Sequence, residues 1–201
     1  VAGNATAHYL HNMFYIIGDR LDRSAEAINI KAELYRANDI ENYDTAAFRV
    51  KLANEIEVYF FATHATINTV NPTSRFEFEN GTVEIVDGKV PYSREVIAYF
   101  KNGTKKEYGN PNKDAEKKLW FSIEAVNTRQ SMICGLEAAR THVLCINGAQ
   151  ESVPEVNAFP EDLVKYDTEH KVKWVEGLSE AFINCYENWK LPAEMGVSWS
   201  R

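Results

Sequence analysis

The sequence predicts an α+β fold: a large, mainly antiparallel open sheet with helices packed on one face. Three observations carry that expectation. An amphipathic segment opens the chain. Residues 27–108 alternate apolar and polar side chains with period two and are cut by Asn-Gly and Asp-Gly dipeptides. From residue 110 onward apolar residues recur at helical spacing.

In the first eighteen residues Asn4, His8, His11, Asn12 and Tyr15 share one helical face. Leu10, Met13, Phe14 and Ile17 take the other, and Gly18 stands where a left-handed cap is expected. Residues 27–36 place Ile28, Ile30, Ala32 and Leu34 on one face and Asn29, Lys31, Glu33 and Tyr35 on the other. Residues 45–52 and 55–64 alternate in the same way, as strands with one buried face do. Asn80-Gly81, Asp87-Gly88 and Asn102-Gly103 then predict tight turns joining short strands at 75–79, 82–86, 95–101 and 104–108, hence antiparallel pairing. Asn110-Pro111-Asn112 reads as a helix start. Leu119, Ile123, Val126, Ile133, Leu136, Val143 and Ile146 form one apolar stripe, with an interruption near Asn127. The proline-containing stretch 153–160 breaks it. Val172, Val175, Leu178, Phe182 and Cys185 mark a final amphipathic helix before an irregular tail around Pro192 and Trp199. The expectation is one domain over 1–201, with a core at 1–150 and a helical extension at 151–201. Tyr35, Tyr59 and Phe61 make the second sheet face partly aromatic, so that open face is expected to meet another subunit.

Composition narrows the function. With 45% hydrophobic and 12% aromatic residues the chain can build a real core. Its 22 basic against 29 acidic residues give a net charge of −7, which argues against a nucleic-acid partner. No stretch approaches the roughly 18 apolar residues of a membrane span. Three cysteines without a CxxC pair suit a reducing cytoplasm, and Cys134 and Cys185 read as buried thiols. No GxGxxG follows a strand, and there is no P-loop, GxSxG or HExxH, so no nucleotide-binding domain is expected within the chain.

His8 is the strongest candidate for proton transfer, because imidazole titrates near neutral pH; the alternative is an ordinary exposed helix histidine. Asn4, one turn earlier, suits either a substrate hydrogen bond or a helix N-cap. His11 and Asn12 are placed to orient a ligand or to pack under the sheet edge. His8 and His11 have metal-compatible spacing but no acidic or cysteine ligand nearby in sequence, so no metal is expected. Tyr35, Arg36, Asn42, Tyr43 and Asp44 form a polar-aromatic connection that suits a sugar or carboxylate pocket, or a solvated strand connection. His64, at the end of a strand, is a further candidate. Arg140 and His142 are expected to make structural hydrogen bonds.

The run Gly3-Asn4-Ala5-Thr6-Ala7-His8-Tyr9-Leu10-His11, followed by Ile17-Gly18, resembles the second domain of the Gfo/Idh/MocA oxidoreductases. Asn42-Tyr43-Asp44-Thr45-Ala46-Ala47 and Thr63-His64-Ala65 resemble later stretches of the same family, and the likeness covers residues 1–150. The resemblance implies that His8 takes the place of the family's catalytic histidine. Asn4 and His11 stand where its pattern has acidic residues. It also implies that this chain is a C-terminal substrate-binding and oligomerisation domain. Its Rossmann partner would hold NAD or NADP, and none is expected on this chain alone. The implied substrate is a sugar, cyclitol or other polyol, and the implied assembly is a homo-oligomer. The alternatives are a non-catalytic binding or assembly module and an NAD-dependent glycosidase or lyase on the same fold.

Overall fold

The opening helix, α1 (Ala7–Ile16), forms because Leu10 and Phe14, four residues apart, are both fully buried. Each such side chain contributes about 1.5–3 kcal/mol on leaving water. The Thr6 hydroxyl donates to the Val1 carbonyl at 3.1 Å instead of capping the helix. The helix ends at Ile17 with φ −94°, so the left-handed cap expected at Gly18 does not form. Gly18 serves a different need. A Cβ there would lie 2.6 Å from the Arg23 carbonyl oxygen, where the chain doubles back. That return lets the Ala25 amide donate to the Phe14 carbonyl at 2.9 Å.

The computed structural model describes residues 1–89 and 93–200. They divide into two compact units, Val1–Asn68 with Ile133–Arg201, and Thr69–Met132. In the first unit, β1 (Ala27–Arg36), β2 (Thr45–Leu52) and β3 (Glu57–Thr63) form an antiparallel meander, with Leu34 opposite Ala46 and Phe48 opposite Phe60. The alternation read from the sequence sets this register, because a one-residue slip would turn every apolar side chain to the wrong face.

The second unit is a four-stranded antiparallel sheet of β4 (Ser74–Phe78), β5 (Gly81–Asp87), β6 (Arg94–Phe100) and β7 (Lys105–Gly109), in that order. Asn80-Gly81 and Asn102-Gly103 make the expected turns, and Gly103 uses a positive φ of 84°. The Asp87-Gly88 connection is longer than a tight turn: the Gly88 amide donates to the Ser93 carbonyl, and residues 90–92 lie outside the described residues. Helix α2 (Lys117–Thr128) begins five residues after the expected Asn112 start, and it buries no side chain. It stops at Arg129, which is left-handed at φ 56°. The apolar stripe expected from Leu119 to Ile146 is two separate helices, parting just after Thr128 beside the interruption expected near Asn127. Leu119, Ile123 and Val126 are exposed, as are Ile133 and Leu136 beyond the break.

Back in the first unit, α3 (Leu136–Ser152) buries Ala138, Thr141, Cys145 and Ala149. β8 (Asn157–Ala158) adds a short parallel strand beside β1, giving the order β3-β2-β1-β8. β9 (Val164–Asp167) and β10 (Val172–Val175) form a hairpin, and α4 (Leu178–Asn188) follows. The final helix expected to include Val172 and Val175 thus starts only at Leu178.

Two cores sandwich the meander. On one face Leu34, Phe48, Val50 and Phe60 pack with Leu10 and Phe14 of α1 and Cys145 and Ala149 of α3. On the other, Tyr35 and Ala47 pack with Val175, Leu178, Phe182, Leu191 and Trp199. Helices therefore cover both faces of this sheet. The aromatic residues expected at a subunit interface are instead covered by the chain's own C-terminal segment. Tyr35 stacks on Phe159 and meets Trp199 edge-on, Tyr59 meets Trp189, and Phe61 lies beside Phe182. No helix among the described residues is long and apolar enough to cross a membrane.

Candidate functional site

The polar side of α1 is the best-formed candidate. His8 and Asn12, one turn apart, are both exposed, and the His8 imidazole makes no hydrogen bond to a described residue. Asn4 is exposed in the turn before the helix. Its carbonyl accepts from the Ala7 amide at 3.1 Å, and the N-cap position belongs to Thr6. His8 is thus an open imidazole on a face that also carries Asn12, with Asn4 in the turn before it, and both carboxamides can hydrogen-bond hydroxyls.

His11 sits differently. It is half-buried between α1 and α3, with Nε2 3.4 Å from Cys134 Sγ and its ring 5.9 Å from that of Tyr15. Its Nδ1 is buried with no hydrogen-bond partner. Burial, reinforced by the nearby imidazoles of His142 and His8, holds His11 below the ordinary imidazole pKa, so it is neutral near pH 7. His142 Nε2 lies 3.4 Å from the Ala2 carbonyl, the structural hydrogen bond expected of it. Cys134 is exposed, which corrects its expected burial, whereas Cys145 and Cys185 are buried. Burial pushes the Cys145 thiol up to about 12. Burial, with the charges of Glu33 and Glu194, pushes Cys185 to about 11. The described residues hold no group of three or more His, Cys, Asp or Glu side chains arranged to take a metal ion.

The remaining candidates do not join this face. Tyr35 is fully buried on the opposite side of the sheet, where its hydroxyl donates to Glu33 Oε2 at 2.7 Å. Arg36 donates to the carbonyls of Ile40 and Glu41 and so holds the connection to β2. His64 is exposed just after β3, its amide bonded to the Asp44 carbonyl. The connection expected to line a pocket is a staple. Asp44, 3% exposed, accepts from the amides of Ala37 and Asn38, the Asn38 carboxamide and the Thr45 hydroxyl. Asn42 exchanges hydrogen bonds with Gln150, and Tyr43 lies in the core. The nearness of Cys134 and His142 to His11 is what sequence reasoning missed. Each is more than 120 residues from His11 in the chain, and no local pattern joins them.

No protein-family model and no curated protein sequence matches the chain. Solved structures do match it in shape. UDP-N-acetylglucosamine 3-dehydrogenase GnnA from Acidithiobacillus ferrooxidans superposes with TM-score 0.52 at 15% identity, over 64% of this chain and 40% of that one. Aldose-aldose oxidoreductase from Caulobacter crescentus, solved with glycerol, gives 0.53 at 16%, over 72% and 43%. An oxidoreductase from Agrobacterium radiobacter in complex with NAD+, L-tartaric acid and magnesium gives 0.57 at 16%, over 77% and 47%. The chain has the fold of part of these oxidoreductases. It spans less than half the length of each.

Proposed function

We propose that this chain is the substrate-side, C-terminal domain of an NAD(P)-dependent oxidoreductase acting on a sugar, cyclitol or related polyol in the cytoplasm. The observation that carries the reading is the open His8 imidazole on α1, in a fold shared with part of sugar-acting dehydrogenases. We assign the dinucleotide to another domain, because no described strand leads through a glycine-rich turn into a helix, the arrangement that cradles a pyrophosphate. The redox chemistry accordingly belongs to a cofactor held by another domain, and this chain handles the substrate.

In this reading the His8 imidazole accepts the proton of the reacting hydroxyl, or returns it in the reverse direction. Asn4 and Asn12 orient the neighbouring hydroxyls, since a carboxamide both donates and accepts. His11 has its Nε2 against Cys134 and supports the face from within. His64, exposed just after β3, is a second-rank contact, while Tyr35 and Arg36 spend their polar groups on Glu33 and on the Ile40 and Glu41 carbonyls.

Polyol titration of the isotopically labelled chain tests the reading. Binding should move the His8 imidazole resonances and the Asn4 and Asn12 carboxamides, and leave buried His11 less affected. Shifts confined to the second unit, or none at millimolar polyol, would contradict it.

A further inference from the structure

We propose that Cys134 and His11 form a thiol–imidazole pair that makes Cys134 a site of reversible mixed-disulfide formation with low-molecular-weight disulfides. Three independent features converge on it. Cys134 is exposed while both other thiols are buried. The segment before α3 holds Sγ 3.4 Å from His11 Nε2, within reach of an S–H hydrogen bond. His11 is itself fixed on α1 beside Leu10, which is fully buried, and its other nitrogen is buried and unmatched, so Nε2 is the nitrogen that faces the thiol.

The chemistry follows from the protonation states. A neutral imidazole has a lone pair at Nε2 in the tautomer protonated at Nδ1, and can take the thiol proton as sulfur attacks. The Cys134 sulfur bonds to one sulfur of the incoming disulfide, and the disulfide's own S–S bond breaks. The departing thiolate takes up a proton, and His11 sheds the one it received, so the exchange needs no further oxidant. Raised pKa values and burial keep Cys145 and Cys185 out of the exchange. Among the described residues, Tyr15 and His8 on α1 and His142 on α3 stand near the pair, and the charge of Asp22 acts on Tyr15. This assignment is independent of the polyol reading, because the pair faces His8's helix from within and needs no substrate.

The test is the reaction of the native full chain with glutathione disulfide and with an aromatic disulfide reagent, followed by intact mass and by rate against pH. One adduct per chain is expected, located on Cys134 by peptide mapping and absent in Cys134→Ser. His11→Gln, which keeps the side chain's size and a polar tip, should slow the native reaction about tenfold without changing the rate after unfolding in guanidinium. Three results would overturn the proposal. They are an adduct on Cys145 or Cys185 before Cys134, a native Cys134 rate no faster than in the unfolded chain, and a His11→Gln rate within twofold of the parent. Circular dichroism of His11→Gln separates a lost base from a lost fold, and Cys134 chemistry in His142→Gln, which should remain fast, provides a second variant.

Discussion

At the scale of single residues the two histidines three positions apart on α1 differ chiefly in burial. His8 points to solvent, whereas His11 is wedged against α3 and kept neutral. A histidine whose folded pKa lies below the unfolded value contributes stability that is fully present above about pH 6.5 and is lost as pH falls through the folded value. We therefore predict that the urea midpoint drops as pH is lowered from about 7.5 to about 5.5, and that His11→Gln drops less over this range. An equal drop in both proteins would show that other groups carry the acid sensitivity. The polar face of α1 was legible in the sequence because helical spacing alone places His8 and Asn12 together. The contact of His11 with Cys134 was not, since it spans 123 positions and depends on how α1 and α3 cross.

At the scale of elements, short connections do more structural work than their composition suggests. The connection from β1 to β2 is rich in groups that bind ligands elsewhere, yet Asp44 spends its carboxylate on the backbone of Ala37 and Asn38. Removing a buried acceptor leaves its donors unmatched, so Asp44→Ala should cost about 3 kcal/mol in urea denaturation. A loss below about 1 kcal/mol would mean that water replaces the carboxylate. Strands were the most readable elements. β1 and β2 run over the predicted 27–36 and 45–52 because alternate side chains such as Leu34, Ala46 and Phe48 pack toward α1 and α3, while Tyr35 and Ala47 between them enter the second core. β9 and β10 escaped notice because strands of four residues carry too few alternations to show a period. Val172 and Val175 at a spacing of three then mimic a helix start. In the stripe from Leu119 to Ile146 the break near Asn127 was legible, but the exposure of its apolar residues was not. Spacing reports periodicity and not burial, and the left-handed Arg129 separates two helices with different surroundings.

At the scale of the molecule, the C-terminal segment determines which surfaces remain open. Tyr35, Phe159, Phe182 and Trp199 form one aromatic cluster, and Glu194 ties the segment to the sheet by ion pairs with Lys31 at 3.1 Å and Arg49 at 2.9 Å. Removing residues 157–200 should bare the aromatic sheet face and increase hydrophobic-dye binding and self-association in light scattering relative to the intact chain. A truncated chain that stays dye-silent and monomeric would show that the segment is dispensable. The central claim concerns His8, and the direct measurement is steady-state turnover by a protein in which this chain is joined to the dinucleotide-binding domain proposed for it, assayed by nicotinamide reduction across a panel of aldoses, cyclitols and polyols. The account predicts activity on at least one of them, and a kcat lowered about 10²–10⁴-fold by His8→Ala with its near-neutral pH dependence removed. A His8→Ala rate within a few-fold of the parent, with the pH profile unchanged, would contradict it.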